Sequence, residues 1–249
     1  MMTADLEQHK LEIDENRAHW RRKPLLRQVY SQFYRDISAR VGRESRGLIV
    51  ELGSGMGNIK EHIPDCITTD VFPNPWLDRV ENAYALTFSD ETVSHLVLFD
   101  VWHHLQYPGE ALREFSRVLV KGGRIVLFDP AMGLLGRFVF GRFHHEPLGL
   151  DQPIEWRTGD GFRPEAPGYY AAQGNASRIF TGEEFRTRLD EWRVIEVKYY
   201  SALAYLGTGG FRGPQLYPAM LLPFFNRVDA FLSKFPALAS RMLVVLDKK

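Results

Sequence analysis

The residues best suited to hold a small ligand stand together in the segment Glu51–Asn58, which reads E-L-G-S-G-M-G-N. Glycine permits positive φ and lets the backbone approach a ligand with no Cβ in the way. The spacing G-x-G-x-G differs from the G-x-G-x-x-G of dinucleotide-binding loops, because Asn58 stands where the third glycine would be. A P-loop ending in Gly-Lys-Ser/Thr is absent from the sequence. The segment therefore predicts a loop for a nucleoside that presents no pyrophosphate.

An acidic residue supports this prediction from the end of the next apolar run. Asp70 follows Cys66-Ile67-Thr68-Thr69, nineteen residues after Glu51. A carboxylate there can accept hydrogen bonds from both ribose hydroxyls, and it repels a 2′-phosphate. The alternative is that the glycines form a ligand-free tight turn and Asp70 begins a loop. The combination of loop and acidic residues favours nucleoside binding.

Two groups of histidines could take part in chemistry. His103 and His104 follow the apolar run 93–99, where ligands of a parallel sheet bind, and either could deprotonate a hydroxyl near neutral pH. The alternative is that one of them packs or caps at the loop. In His144-His145-Glu146, adjacent side chains of an extended chain point in opposite directions. We therefore predict no metal site, and assign this segment to pocket lining or to a structural loop.

The elements that must position these residues follow from the apolar pattern. Short apolar runs bounded by glycine or polar residues indicate strands, and the strand–helix–strand cadence implies right-handed βαβ units. We predict an α/β fold, doubly wound, with a mostly parallel seven-stranded sheet and an antiparallel edge pair formed by the last two strands. The predicted strands are 48–52, 66–70, 80–83, 93–99, 124–128, 193–199 and 242–246. The predicted helices include 5–40, 58–62, 183–189 and 111–119, the last one stopped by Gly122-Gly123.

The same pattern predicts the domain organisation. Residues 1–45 form an N-terminal helical cap, and residues 46–249 form the ligand-binding domain. Two insertions lie on the substrate side. The aromatic-rich segment 131–180 is a lid and acceptor pocket or a satellite core. The segment 203–240 packs on the core, covers the acceptor site, forms a dimer face or lies on a membrane surface.

Composition limits the classes of function. The 249 residues carry 31 basic and 31 acidic side chains, so the formal net charge of zero disfavours nucleic-acid binding. Cys66 is the one cysteine of the sequence, which excludes a disulfide within the chain and a cysteine-based zinc site. The N-terminus lacks the apolar core of a secretory signal, and the longest apolar stretch is too short to span a bilayer. We expect a cytoplasmic protein.

Five motifs in order resemble those of the S-adenosylmethionine (SAM)-dependent methyltransferases, and most closely the type 11 methyltransferase domain. They cover roughly residues 46–130, about a third of the chain, and their order makes the resemblance more specific than any single motif. The motifs are Glu51-x-Gly-x-Gly-x-Gly57, Asp70, Leu86–Val93, Val97–Leu105 and Leu112–Arg124.

The resemblance implies a set of cofactor contacts. It implies that Glu51 and the loop cradle the methionine end, that Asp70 holds the ribose and that Val71 or Phe72 lies against adenine. Asn82 and Ala83 stand where the family often has Asp and a small residue at the adenine edge, and Asn82 departs from that pattern. Tyr30 or Tyr34 of the cap could face the cofactor. The complete predicted cofactor set is Glu51, Gly53, Ser54, Gly55, Gly57, Asp70, Val71, Asn82, Ala83 and Phe99.

The resemblance also implies the reaction, which is methyl transfer from SAM to a small-molecule or glycan- or lipid-linked acceptor. In-line displacement mainly requires positioning and exclusion of water, and a base is needed only for a protonated nucleophile. We favour oxygen as the acceptor because of His103 and His104. The alternative from another class is a non-catalytic sensor or partner subunit that binds SAM or its product. A DNA-base methylase is disfavoured by Phe99-Asp-Val-Trp102, and an NAD-dependent oxidoreductase by Asn58. Formation of a homodimer is a further alternative that the sequence leaves undecided.

Overall fold

A computed structural model describes residues 13–42, 47–144, 146–159, 162–163 and 170–249. Its centre is one sheet of seven strands, in the order β3-β2-β1-β4-β5-β7-β6. The strands are β1 Leu48–Leu52, β2 Ile67–Asp70, β3 Arg79–Val80, β4 Val93–Phe99, β5 Leu119–Pro130, β6 Trp192–Tyr200 and β7 Arg241–Lys248.

The sheet confirms the predicted fold class. Strands β1 to β5 pair in parallel, whereas β7 runs antiparallel to both β5 and β6. The carboxyl ends of β1, β4 and β5 therefore meet at one edge, which is where ligands bind in open α/β sheets. Strand β6 ends at the same edge, so both predicted insertions begin there.

The central strand β4 shows why the apolar runs fold in this way. All seven of its residues are buried. Leu96 and Leu98 belong to the core on one face of the sheet, and Val97 and Phe99 belong to the core on the other. Successive side chains of a strand point to opposite faces, so a strand covered on both faces is mostly apolar, and Ser94 and His95 are the polar exceptions in β4.

Helices cover both faces of the sheet. Within the described residues the α-helices are α1 (residues 13–22), α2 Pro24–Val41, α3 Pro108–Val118, α4 Leu134–Phe143, α5 Asn175–Thr181, α6 Leu203–Gly207 and α7 Leu222–Leu232. Short 3₁₀ turns include Asn58–Glu61, Trp102–His104 and Glu183–Leu189. The helix predicted over 5–40 is divided at Lys23, because Pro24 lacks an N–H and favours a first helical turn. Residues 5–12 of that prediction lie outside the described residues.

Three local predictions are wrong. Helix α3 ends at Val118, and Gly122-Gly123 lie inside β5, where the pairing with β4 shifts between Val93 and His95. The third strand is Arg79–Val80 instead of 80–83. The segment after β5, in which the sequence shows no regular pattern, contains α4 and α5. No helix in the described part of the chain is long and apolar enough to cross a membrane.

Candidate functional site

The glycine loop after β1 adopts the backbone that the sequence predicts. Gly53, Gly55 and Gly57 all have positive φ, at 68°, 51° and 69°. A Cβ on Gly53 would collide with the side chain of Val101, so this glycine allows close packing. A Cβ on Gly55 would meet no atom within 4 Å, so this glycine faces open space. The loop therefore presents bare backbone at Gly55.

Hydrogen bonds from β1 and β2 fix this loop. The Ser54 hydroxyl donates to the Glu51 carbonyl at 3.2 Å and accepts the Thr69 N–H at 3.1 Å. The Gly55 N–H donates to Asp70 Oδ2 at 3.1 Å. The indole N–H of Trp76 donates to the Gly55 carbonyl at 3.1 Å. Asp70 thus shapes the loop directly.

Glu51 places a carboxyl group at the floor of the loop. Its side chain is buried, and Oε2 has no hydrogen-bond partner among the described residues. Burial raises the pKa of Glu51 to about 8. The hydrogen bond with Ser54 acts to lower this pKa, and the charge of Asp70 acts to raise it. Burial therefore disfavours the carboxylate form of Glu51, and a positive partner would favour it.

A cleft of about 150 Å³ opens over the loop. Phe99 at the end of β4 stacks on Tyr30 at 5.4 Å between ring centroids, and Tyr34 meets Phe99 edge-on at 5.0 Å. Phe211, from the second insertion, contacts Tyr30 at 5.6 Å. The lining residues are Ile13, Asn16, Tyr30, Tyr34, Glu51, Gly53, Ser54, Gly55, Met56, Asn58, Phe99, Asp100 and Phe211.

The cleft brings together half of the predicted cofactor residues. Those that line it are Glu51, Gly53, Ser54, Gly55 and Phe99. Tyr30 and Tyr34, which the sequence places on the cap, also line it. Ile13, Asn16 and Phe211 were not expected there, because nothing in their local sequence marks a segment that returns to a distant loop.

The other predicted cofactor residues lie outside the cleft lining. Gly57 and Asp70 make hydrogen bonds with the loop: the Gly57 N–H donates to the Ser54 carbonyl, and Asp70 accepts the Gly55 N–H. Val71 is 40% exposed. The Asn82 side-chain oxygen accepts the Tyr84 N–H at 2.9 Å, and Ala83 packs against the core. Their assignment to adenine and ribose stays a prediction.

Asp100 connects the cleft with the neighbouring edge of the sheet. It has a positive φ of 58° without being glycine, and it lines the cleft. Its carboxylate pairs with Arg241, a buried residue at the start of β7. Strained backbone of this kind persists where the surroundings over-determine it, and it concentrates at functional sites.

A second polar cluster lies past the ends of β4 and β5. His103 Nδ1 is 3.0 Å from Asp129 Oδ1, and His103 Nε2 is 3.6 Å from Glu146 Oε2. His104 Nδ1 is 2.9 Å from the Tyr170 carbonyl, and its Nε2 is 3.8 Å from Glu146 Oε1. The two imidazole rings lie 4.1 Å apart between centroids.

The two histidines differ in protonation. Burial acts to lower the pKa of His103, but the carboxylates of Asp129 and Glu146 outweigh it and raise the pKa to about 10. Burial and the charge of His103 lower the pKa of His104 to about 4. The sequence singled out His103, His104 and Glu146 separately, but their pairing across about forty residues has no local signal.

Comparisons with known proteins agree with this architecture. Residues 50–127 match the family model described as a methyltransferase domain. This range spans β1 to β5, and the match confirms the resemblance carried by the sequence motifs. A search of the curated proteins finds no match.

Solved structures with the same fold cover almost the whole chain. One is a SAM-dependent methyltransferase from Thermotoga maritima, a possible histamine N-methyltransferase, with TM-score 0.55, 15% identity and coverage of 96% of this chain and 99% of that chain. Another comes from the complex between the Haloferax volcanii Trm112 methyltransferase activator and a methyltransferase, with TM-score 0.54, 14% identity and coverage of 97% and 96%. A third is the geranyl diphosphate C-methyltransferase of Streptomyces coelicolor, with TM-score 0.50, 11% identity and coverage of 88% and 80%. At these identities the likeness establishes the fold.

Proposed function

We propose that the chain transfers the methyl group of SAM to a small-molecule or glycan- or lipid-linked acceptor, with a hydroxyl oxygen as the favoured target, because residues 50–127 match the model of a methyltransferase domain. The observation that carries the proposal is the buried Glu51 carboxyl in the cleft, whose Oε2 lacks a partner among the described residues. The α-ammonium of SAM would supply the positive charge that this oxygen requires. No nucleic acid is part of the proposal.

The remaining cofactor contacts follow from the loop. The bare backbone at Gly55 lets the cofactor approach, while Gly53, Ser54 and Gly57 keep the turn in shape. Asp70 would exchange its bond to the Gly55 N–H for the ribose hydroxyls. We retain Val71, Asn82 and Ala83 at the adenine. Phe99 and Asp100 would border the transferred methyl group.

The acceptor side of the proposal rests on the cluster past β4. His104 Nδ1 lies at hydrogen-bond distance from the Tyr170 carbonyl, and donation of its proton there leaves Nε2 as the basic nitrogen. Its side chain is 35% exposed, so an acceptor hydroxyl can reach it. His103 is buried and bonded to Asp129, which suits it to orient and charge the site. The pKa of about 4 keeps His104 unprotonated at neutral pH and makes it a weak base, so its contribution should fall at or below the lower end of the roughly 10²–10⁴-fold range of general bases.

The cofactor site is tested by two matched glycine variants. Gly55 and Gly122 both have positive φ with open space where a Cβ would stand, but only Gly55 lines the cleft. Gly55→Val and Gly122→Val should each lose stability of about 1–2 kcal/mol from left-handed backbone strain. Gly55→Val should abolish or strongly weaken SAM binding in calorimetry, whereas Gly122→Val should keep the wild-type dissociation constant.

Equal SAM affinity in the wild type and Gly55→Val would contradict the site. Binding of NAD in preference to SAM would contradict the class of cofactor. The alternative of a non-catalytic SAM sensor predicts SAM binding without any conversion to S-adenosylhomocysteine across a panel of hydroxylated small molecules, glycans and lipid-linked glycans. We also retain a cytoplasmic location, which suits the single, buried thiol of Cys66. A homodimer is the remaining partner of the proposal, and size-exclusion chromatography tests it.

A further inference from the structure

We infer that His103, His104 and Glu146 form a binding site for one divalent transition-metal ion, of which zinc is the best match. One ligand atom from each residue lies within 4.8 Å of the other two. The residues come from the turn after β4 and from the insertion after β5, so the fold assembles the site from separate segments. This inference goes beyond the proposed function, and it replaces the prediction of no metal site that the isolated His144-His145-Glu146 motif supports.

The distances fit an ion better than a set of direct hydrogen bonds. Glu146 Oε2 lies 3.6 Å from His103 Nε2, and Glu146 Oε1 lies 3.8 Å from His104 Nε2. Nitrogen–oxygen hydrogen bonds are about 2.7–3.2 Å long. Ligands on a tetrahedral zinc with bonds of about 2.1 Å stand about 3.4 Å apart. Both nitrogen–oxygen separations are close to this ligand–ligand distance, and one ligand atom of each residue lies within 4.8 Å of the other two.

The outer partners orient both imidazoles for metal binding. His103 Nδ1 bonds to the buried Asp129 carboxylate at 3.0 Å, which is the carboxylate–histidine arrangement of metal sites. His104 Nδ1 is 2.9 Å from the Tyr170 carbonyl. In the neutral tautomers whose Nδ1 protons are directed outward, both Nε2 atoms offer a lone pair toward Glu146, and a bound ion would displace the second proton that the neighbouring carboxylates hold on His103. Gln173 donates its side-chain N–H to Glu146 Oε2 and fixes the carboxylate.

The donor set is compatible with zinc. Two imidazoles and one carboxylate are the ligands of catalytic zinc sites, which keep a fourth position for water or a substrate oxygen. His104 is 35% exposed on its side chain, so that position has access to solvent. Asp100 lines the cofactor cleft and acts electrostatically on both histidines, so the ion would border the cleft. Because a His104 Nε2 bound to the ion no longer acts as a base, the ion would take over activation of the acceptor hydroxyl, a consequence that rests on the proposed function.

The experiment measures the metal directly, without turnover. The full chain is stripped with a chelator, dialysed and titrated with Zn²⁺ against a chromophoric chelator, and Co²⁺ is used as a spectroscopic probe. We expect one equivalent of zinc and the intense visible bands of four-coordinate cobalt. Asp129→Asn should weaken zinc binding about 10–100-fold, the usual effect of losing an outer partner. Glu146→Gln and His104→Gln should weaken it further.

Two controls separate metal binding from loss of fold. His62→Gln, at the end of the 3₁₀ turn Asn58–Glu61 and outside the cluster, should bind zinc like the wild type. Circular dichroism and SAM affinity should be unchanged in His104→Gln, whose side chain is partly exposed. Zinc uptake by the wild type no greater than that of Glu146→Gln would overturn the inference and assign the cluster to a proton on His103. Absence of zinc binding would leave SAM binding unchanged, whereas failure of the proposed function would show as absence of SAM binding.

Discussion

At the scale of single residues, we expect Glu51 to release a measurable proton when SAM binds to the proposed cofactor site. Its pKa of about 8 means that the carboxyl is mostly protonated at pH 7 in the empty protein. A bound ammonium group favours the carboxylate, so SAM binding should lower this pKa and release a proton. We expect the calorimetric binding enthalpy at pH 7 to vary with the ionisation enthalpy of the buffer, corresponding to nearly one proton released. Glu51→Gln should remove this dependence.

Glu61→Gln, which changes an exposed carboxylate beside the loop, is the matched control and should release the proton as the wild type does. Enthalpies that are equal in all buffers would show that Glu51 is not the receptor of the ammonium. The raised pKa also affects stability. Because the folded protein holds this proton more tightly than the unfolded chain, the contribution of Glu51 to the free energy of unfolding falls as the pH rises from about 4.5 to about 8.

Sequence alone could predict the residues whose role depends on their immediate neighbours in the chain. The spacing of Gly53, Gly55 and Gly57 forces a bare turn after β1, and the structure has it. The pairing of His103 with Glu146 could not be predicted, because it depends on how the insertion after β5 returns to the turn after β4. Asn82 accepts a hydrogen bond from the Tyr84 N–H, and its assignment to the adenine edge stays a prediction.

At the scale of elements, predictability follows burial. The strand β4 was predictable because both faces are covered, so that five of its seven residues are apolar. The two-residue strand Arg79–Val80 lies at the sheet edge with both residues exposed, and leaves almost no pattern. Gly122-Gly123 were misassigned because two glycines after an amphipathic segment are typical of a helix end, whereas here they occupy an irregular part of a strand.

Helix α1 and Phe211 line the cleft and form its lid, which is separate from the lid predicted over 131–180. The motion of this lid can be tested at the scale of elements. A cleft of about 150 Å³ is smaller than the ~300 Å³ or more of small-molecule sites, so the lid must move to admit SAM. Lys23 joins the two parts of the lid, because its ammonium donates to the carbonyls of Thr208, Gly210 and Gly213. Lys23→Met should let the two parts move separately and accelerate both association and dissociation of SAM.

Stopped-flow fluorescence measures both rates, with Trp20 beside Phe211 as the reporter. We expect each rate to rise several-fold, and dissociation to rise more, so that affinity falls. Lys121→Met removes an exposed lysine from β5 and should leave both rates unchanged. Rates in Lys23→Met that equal those of the wild type would show that the lid does not limit entry.

At the scale of the whole molecule, parallel pairing brings the chemistry to one edge of the sheet. The glycine loop, Asp100, the histidine cluster and both insertions all stand at the carboxyl ends of the strands. The alternation of strands and helices was sufficient to predict this edge. The conformations of the insertions were not predictable, because their aromatic side chains divide between the core and the surface. Phe180 is buried, whereas Phe138 and Phe143 are 62% and 75% exposed.

Exposed apolar side chains lie on both insertions and are called the apolar surface; Phe138 and Phe143 contact each other edge-on within it. We propose this surface as the contact for a lipid-linked acceptor. Helix α4 packs beside the chain that follows α7, since the Gly136 N–H donates to the Ala239 carbonyl at 3.1 Å. Helix α4 contains two arginines and no acidic residue, so the surface suits anionic headgroups. The exposed apolar residues are Leu134, Phe138, Phe143, Leu216, Met220, Leu221, Phe224, Phe231 and Phe235.

We expect the protein to sediment with vesicles that contain phosphatidylcholine and phosphatidylglycerol. Burial of one phenylalanine side chain contributes about 1.5 kcal/mol or more, so the double change Phe138→Ser and Phe143→Ser should lower partitioning by roughly 100-fold. The double change Val194→Ser and Ile195→Ser removes exposed apolar residues from the edge strand β6 and should have no such effect. The wild-type protein could instead fail to sediment with the vesicles and form a concentration-dependent dimer that the Phe138 and Phe143 double variant does not form. This result would assign the surface to self-association. The acceptor would then be sought among water-soluble molecules.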